Sequence, residues 1–150
     1  MRGLLVILMM CVGWGSVAMA DDGVARVMEE HLWTERVLLV FAPSSDSDAL
    51  AEQRAIMAAH QDGFEDRDMA VWELVAYSYV ALNGEVKAHL PVQAFQRHFD
   101  VSEDAFEVIL LGKDGEEKLR QSEPLSAEAL FGLIDSMPMR QREMRSTDTE

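Results

Sequence analysis

Arg36-Val37-Leu38-Leu39-Val40-Phe41-Ala42-Pro43-Ser44 is the stretch that decides the fold. From Val37 to Phe41 every residue is apolar. A strand built from such a run is apolar on both faces, the pattern of a central strand buried between two layers. Ala42-Pro43 ends it, because proline has no N–H for a sheet ladder. Ser44-Ser45-Asp46-Ser47-Asp48 then supplies several residues suited to cap a helix, which should run to about Gln61.

Working outward, the elements alternate in type. Asp22 to His31 reads as a short helix. Met69 to Ala76, with Val71, Trp72, Leu74 and Val75, reads as a second buried strand. Tyr77 to Leu90 is ambiguous, but Asn83-Gly84 is a turn pair that suits a small hairpin. Pro91 suits the first turn of a short helix through His98. Phe106 to Leu111 is a third strand, and Lys113-Asp114-Gly115 turns it into a fourth, Glu116 to Arg120. Ser126 caps a last helix with the stripe Leu130, Phe131, Leu133, Ile134 and Met137, which Pro138 stops. The order βαβαββα predicts an α/β fold with parallel pairing through right-handed crossovers and an antiparallel C-terminal hairpin. This is the arrangement of a thioredoxin-like three-layer sandwich with a mixed sheet. No internal repeat or low-complexity linker interrupts it.

Three regions follow. Residues 1–20 read as a secretory signal peptide: Arg2, an apolar stretch from Leu4 to Val17, and Ala18-Met19-Ala20 before Asp21. Residues 21–138 form the domain, and residues 139–150 a polar, mobile tail. Cleavage after Ala20 leaves about 130 residues, enough for one core. It also removes Cys11, the one cysteine, so the mature chain has no thiol. A lipoprotein reading through Cys11 is disfavoured, because Met10 stands where a small residue is wanted. No later segment is long enough to span a membrane. The expected destination is a bacterial periplasm. The formal charge is −14, and taking away the one positive charge of Arg2 gives −15 for the mature chain. Such a surface repels nucleic acid and anionic lipid. It serves solubility first, and a basic partner second.

The residues also suggest a family. Trp33, then Arg36 to Ser44, then Gln53 resemble the start of the bacterial family called domain of unknown function 4174. Phe106 to Gly115, Lys118-Leu119-Arg120 and Ile134 to Arg140 resemble its later segments. That family is similar to the secreted DUDES domains of vertebrate matrix proteins, viewed as thioredoxin-like and distantly related to peroxiredoxins. The resemblance implies fold and export, and brings no catalytic residues. Aligned on the first strand, Ser45 to Asp48 stand where thioredoxin has Cys-x-x-Cys. The proline that thioredoxin carries before its third strand is replaced near Phe106. Both halves of a dithiol site are missing.

The candidate binding corner is Pro43, Ser44, Ser45, Asp46 and Gln53. A helix start can hold an anion, but Asp46 and Asp48 already bring negative charge there, so capping is the simpler role. On a helix at 100° per residue, Gln53 and His60 fall near the centre of a stripe formed by Ala49, Leu50, Ile56, Met57 and Phe64. Each then needs a polar partner in a strand or loop; alternatively Gln53 lines a shallow pocket beside Pro43 and Ser44. His31, His60, His89 and His98 lack metal-site spacing, and no metal or cofactor is expected. Met137, Met139 and Met144 suit Cu(I) by chemistry, but core packing accounts for them more simply. Arg140, Arg142 and Arg145 either fold back on the acidic surface or meet a partner. Trp33 and Trp72 read as core anchors.

The preferred function is an exported, non-redox binding or accessory module with an unidentified protein or small ligand as partner. A cysteine-free enzyme working at Ser44, Ser45 and Gln53 is the alternative, and a periplasmic metal-handling protein a weaker one.

Overall fold

In a computed structural model, which describes residues 18–147, the chain runs α1 (Ala18–Glu29), β1 (Arg36–Ala42), α2 (Asp48–Ala59), α3 (Gln61–Glu65), β2 (Met69–Val75), β3 (Tyr79–Leu82), β4 (Glu85–Val86), α4 (Val92–His98), β5 (Glu107–Leu111), β6 (Glu117–Gln121), α5 (Ala127–Ser136) and α6 (Pro138–Thr147). Most of the expected leader, with Cys11, and the last three residues of the chain lie outside the described residues.

The strands form one mixed sheet in the order β4-β3-β2-β1-β5-β6. β1 is buried from end to end, as its unbroken apolar run requires. Its alternate residues feed two cores. Val37, Leu39 and Phe41 pack with Trp72, Phe95 and Ile109 beneath α1 and α4. Leu38, Val40 and Ala42 pack with Leu50, Phe64, Leu110, Leu130 and Ile134 beneath α2, α3 and α5. The result is the α/β thioredoxin-like sandwich of three layers. Each of these fully buried aliphatic side chains contributes about 1.5–3 kcal/mol through removal from water.

β1 pairs with β2 in parallel, Leu39 opposite Trp72. The expectation of parallel pairing stops there: β5 runs antiparallel to β1, with Phe41 opposite Glu107 and Val37 opposite Leu111. The hairpin and the short α4 return the chain to the end of the sheet where β1 and β2 finish. It can therefore only enter β5 pointing back. β5 and β6 form the antiparallel pair at one edge. At the other edge, β3 and β4 extend the sheet beyond β2 as a hairpin. Asn83 and Gly84 both have positive φ (49° and 82°), the left-handed pair that a two-residue hairpin turn demands.

Two further expectations differ from the structure. Trp33 is no core anchor: it sits between α1 and β1 at φ 65°, is 68% exposed, and is held by its N–H donating to the Lys113 carbonyl at 2.6 Å. His60 does not point into the core. The helix ends at Ala59, so the 100° phase is lost, and His60 caps the break with Nδ1 against the Ile56 carbonyl at 2.8 Å. Pro138, whose φ and missing N–H suit a helix start as well as a helix stop, opens α6.

Charges dock α6. Arg36, 1% exposed at the start of β1, donates to the Arg67 carbonyl at 2.9 Å and to both Glu143 oxygens at 3.2 and 3.1 Å. Lys113 also reaches Glu143 at 2.9 Å. Arg140, itself buried, bonds the Asp66 carbonyl at 2.7 Å and the carboxylates of Asp66 and Asp135. Arg67 joins in through Asp135 at 2.6 Å, its guanidinium lying 4.2 Å from the centre of the Phe131 ring. The Arg140 end of the basic cluster thus folds back on the acidic surface.

Candidate functional site

The corner at the end of β1 is closed on itself. The Ser44 hydroxyl donates to Asp46 Oδ1 at 2.6 Å and holds that carboxyl below its usual range. Ser47 is the N-cap of α2, its Oγ accepting the Leu50 N–H at 3.4 Å. Ser45 and Asp46 are exposed, while Pro43 and Ser44 are half-buried. Gln53 lies elsewhere. It is fully buried, its Nε2 donating to the Leu125 carbonyl at 3.2 Å and its Oε1 accepting the Leu125 N–H at 2.7 Å. Both ends of the amide are used to lock the loop before α5 onto α2. The structure therefore brings Pro43, Ser44, Ser45 and Asp46 together and leaves Gln53 sealed in the core.

Tyr77 completes the exposed surface at this end of the sheet. It is 71% exposed at φ 55°, a region that bulky residues rarely occupy. A hydrogen bond to Glu103 raises its hydroxyl pKa.

A larger concave surface lies beyond the corner, and the sequence reading did not find it. The β3–β4 hairpin carries the sheet past the helices of the α2–α3 layer. Between that layer and the hairpin opens a groove of about 840 Å³. Its floor is apolar, built from Met57, Phe64, Met69, Val71, Ala81 and Val86. Val86, on the edge strand, is 58% exposed.

One wall of the groove is a polar triad. Arg54 Nε donates to Glu73 Oε2 at 3.0 Å, and its Nη2 reaches both Glu73 Oε1 and the Tyr79 hydroxyl. The Tyr79 hydroxyl in turn donates to Glu73 Oε1. Burial alone would raise the Glu73 carboxyl, but the bonds from Arg54 and Tyr79 outweigh it and hold it below the usual range. Burial, then the neighbouring Glu73, raises the Tyr79 hydroxyl. Tyr79 is thus a hydrogen-bonding phenol here. The signal in the sequence was Glu73, a lone acid inside an otherwise apolar strand.

The remaining candidates occupy ordinary places. His31 is buried, with Nε2 accepting the Trp72 indole N–H at 3.0 Å. That bond puts the ring proton on Nδ1, which faces Glu35 Oε2 at 2.6 Å. Trp72 is a core anchor, 2% exposed. His89 and His98 are exposed, and Met137, Met139 and Met144 are half-buried. Among the described residues no group of three or more His, Cys, Asp or Glu could hold a metal ion. No described helix is long and apolar enough to cross a membrane.

A family model described as a domain of unknown function, DUF4174, matches residues 27–143. Coiled-coil domain-containing protein 80 of Danio rerio is 24% identical over 128 residues, covering 75% of this chain and 15% of that protein. The sushi repeat-containing protein SRPX of Rattus norvegicus is 28% identical over 124 residues, covering 80% of this chain and 26% of that protein. The Homo sapiens SRPX is likewise 28% identical, with the same coverage. The chain thus spans about a quarter or less of the relatives named. No solved structure matches.

Proposed function

We propose, from the premise that this chain belongs to the DUF4174 family, that it is an exported, non-redox binding module of the periplasm. One observation carries the reading. Where a thioredoxin-type domain would hold reactive thiols, Ser45, Asp46, Ser47 and Asp48 stand, with Asp46 accepting from Ser44 and Ser47 capping α2. No cysteine occurs after Cys11, and disulfide or peroxide reduction needs a low-pKa thiolate. The leader-like residues 1–20 support export. The hairpin groove supports binding, since its volume is that of a ligand site and apolar walls converge there with a fixed polar triad. Exposed Tyr77, in its strained backbone, favours the corner of Pro43, Ser44, Ser45 and Asp46 as a second contact surface. With Gln53 sealed, an enzyme using Ser44, Ser45 and Gln53 together has no support.

The test uses protein of residues 21–150 in an insulin disulfide-reduction assay, followed by mild crosslinking and affinity purification from periplasm. The expected result is reduction at the rate of the protein-free control and one reproducible crosslinked partner. Catalytic turnover of insulin disulfides would overturn the reading.

A further inference from the structure

We infer that the hairpin groove takes an extended, basic and apolar segment of a partner protein, added as a strand beside β4. The inference rests on the binding-module reading and names the partner's chemistry. Three observations carry it. First, among the described residues β4 is the last strand on its side of the sheet, and its outer backbone edge faces no further described strand. An extended peptide can satisfy such an edge by main-chain hydrogen bonds while alternate side chains turn toward the face beside it. β4 is only two residues long, too short to template open-ended association but long enough to set a peptide's register.

Second, the face beside that edge is apolar and open. Val86 stands opposite Ala81 in the hairpin, and both line the groove with Val71, Met57 and Phe64. A strand laid against β4 places every second side chain over this floor.

Third, the charge is one-sided. Among the described residues Arg54 is the one cation lining the groove, and Glu73 holds it through two bonds. Glu65 lines the groove, is exposed, and among the described residues has no cationic partner. The whole chain carries −14. A segment with Lys or Arg next to its apolar residues complements this surface, and an acidic one is repelled.

The probe is a fluorescein-labelled peptide Lys-Thr-Val-Lys-Val-Thr-Lys, which puts both valines on one face, with a control carrying Glu in place of each Lys. Anisotropy titration at low salt against residues 21–150 is compared for the wild type, Val86→Asp and Glu65→Lys. Both positions are exposed, and circular dichroism melts verify folding. The expected result is saturable binding of the lysine peptide. Val86→Asp weakens it about tenfold, the effect of losing one valine's burial. Glu65→Lys weakens it too, and the glutamate peptide does not bind. Amide exchange should slow at residues 85–86 on binding. No saturation up to about 1 mM peptide, or equal binding by all three proteins, overturns the inference. Either failure leaves the non-redox reading to its own insulin assay.

Discussion

Gln53 shows how one residue can look functional in a sequence and be structural in the fold. An amide in the middle of an apolar stripe signals either a site or a lock, and its neighbours in sequence do not say which. Leu125, which decides the matter, is 72 positions away. Gln53→Ala should cost about 1–3 kcal/mol in urea unfolding, because it leaves two buried backbone groups of Leu125 unpaired. Ser45→Ala, at an exposed position without such bonds, should stay within about 0.5 kcal/mol. Equal effects would contradict the assignment of Gln53 as a lock. Glu73 teaches the converse. Its charge within β2 was visible, but its partners come from α2 and β3, and only the packed sheet brings Arg54 and Tyr79 to it.

At the scale of elements, what was legible followed from short-range rules. The unbroken run of β1, the Asn83-Gly84 turn and the caps Ser47 and Ser126 all depend on residues close in sequence, and each stands in the structure. What failed depended on geometry between elements. The direction of β5 is set by where α4 releases the chain, and α6 is held by carboxylates and cations from four separate segments. α6 also yields the clearest dependence on pH. Burial works against the carboxylates of Asp135 and Glu143, but Arg67, Arg140, Lys113 and Arg36 hold both below their ordinary values. A depressed carboxylate adds stability above its unfolded pKa, near 4, and loses it as pH falls through the folded value. Lowering pH from 6 to 3 should therefore reduce Tm, and α6 amides should exchange earlier than those of β1. Protection of α6 that does not change across this range would contradict ionic docking. Glu143→Gln leaves buried Arg36 without its anion. It should cost about 3 kcal/mol, the lower end for a broken buried pair, because Glu143 is itself a quarter exposed.

At the scale of the whole molecule, net charge adds a second pH dependence. The isoelectric point is near 4.5. There the repulsion that keeps the chain dispersed vanishes, while Asp135 and Glu143 stay ionised to lower pH than ordinary carboxylates. Light scattering should show association setting in near pH 4.5 and receding at pH 7; a maximum at neutral pH would contradict this. The same sheet also carries a statement about time. Arg36 opens the first strand, and the carboxylate that neutralises it lies 107 residues later. A chain emerging from its N-terminus cannot complete this buried ion pair until residue 143 is available. A product truncated before residue 143 buries a cation without an anion, so the arrival of α6 is a condition for a finished fold, and copies that lack it are left open to proteolysis.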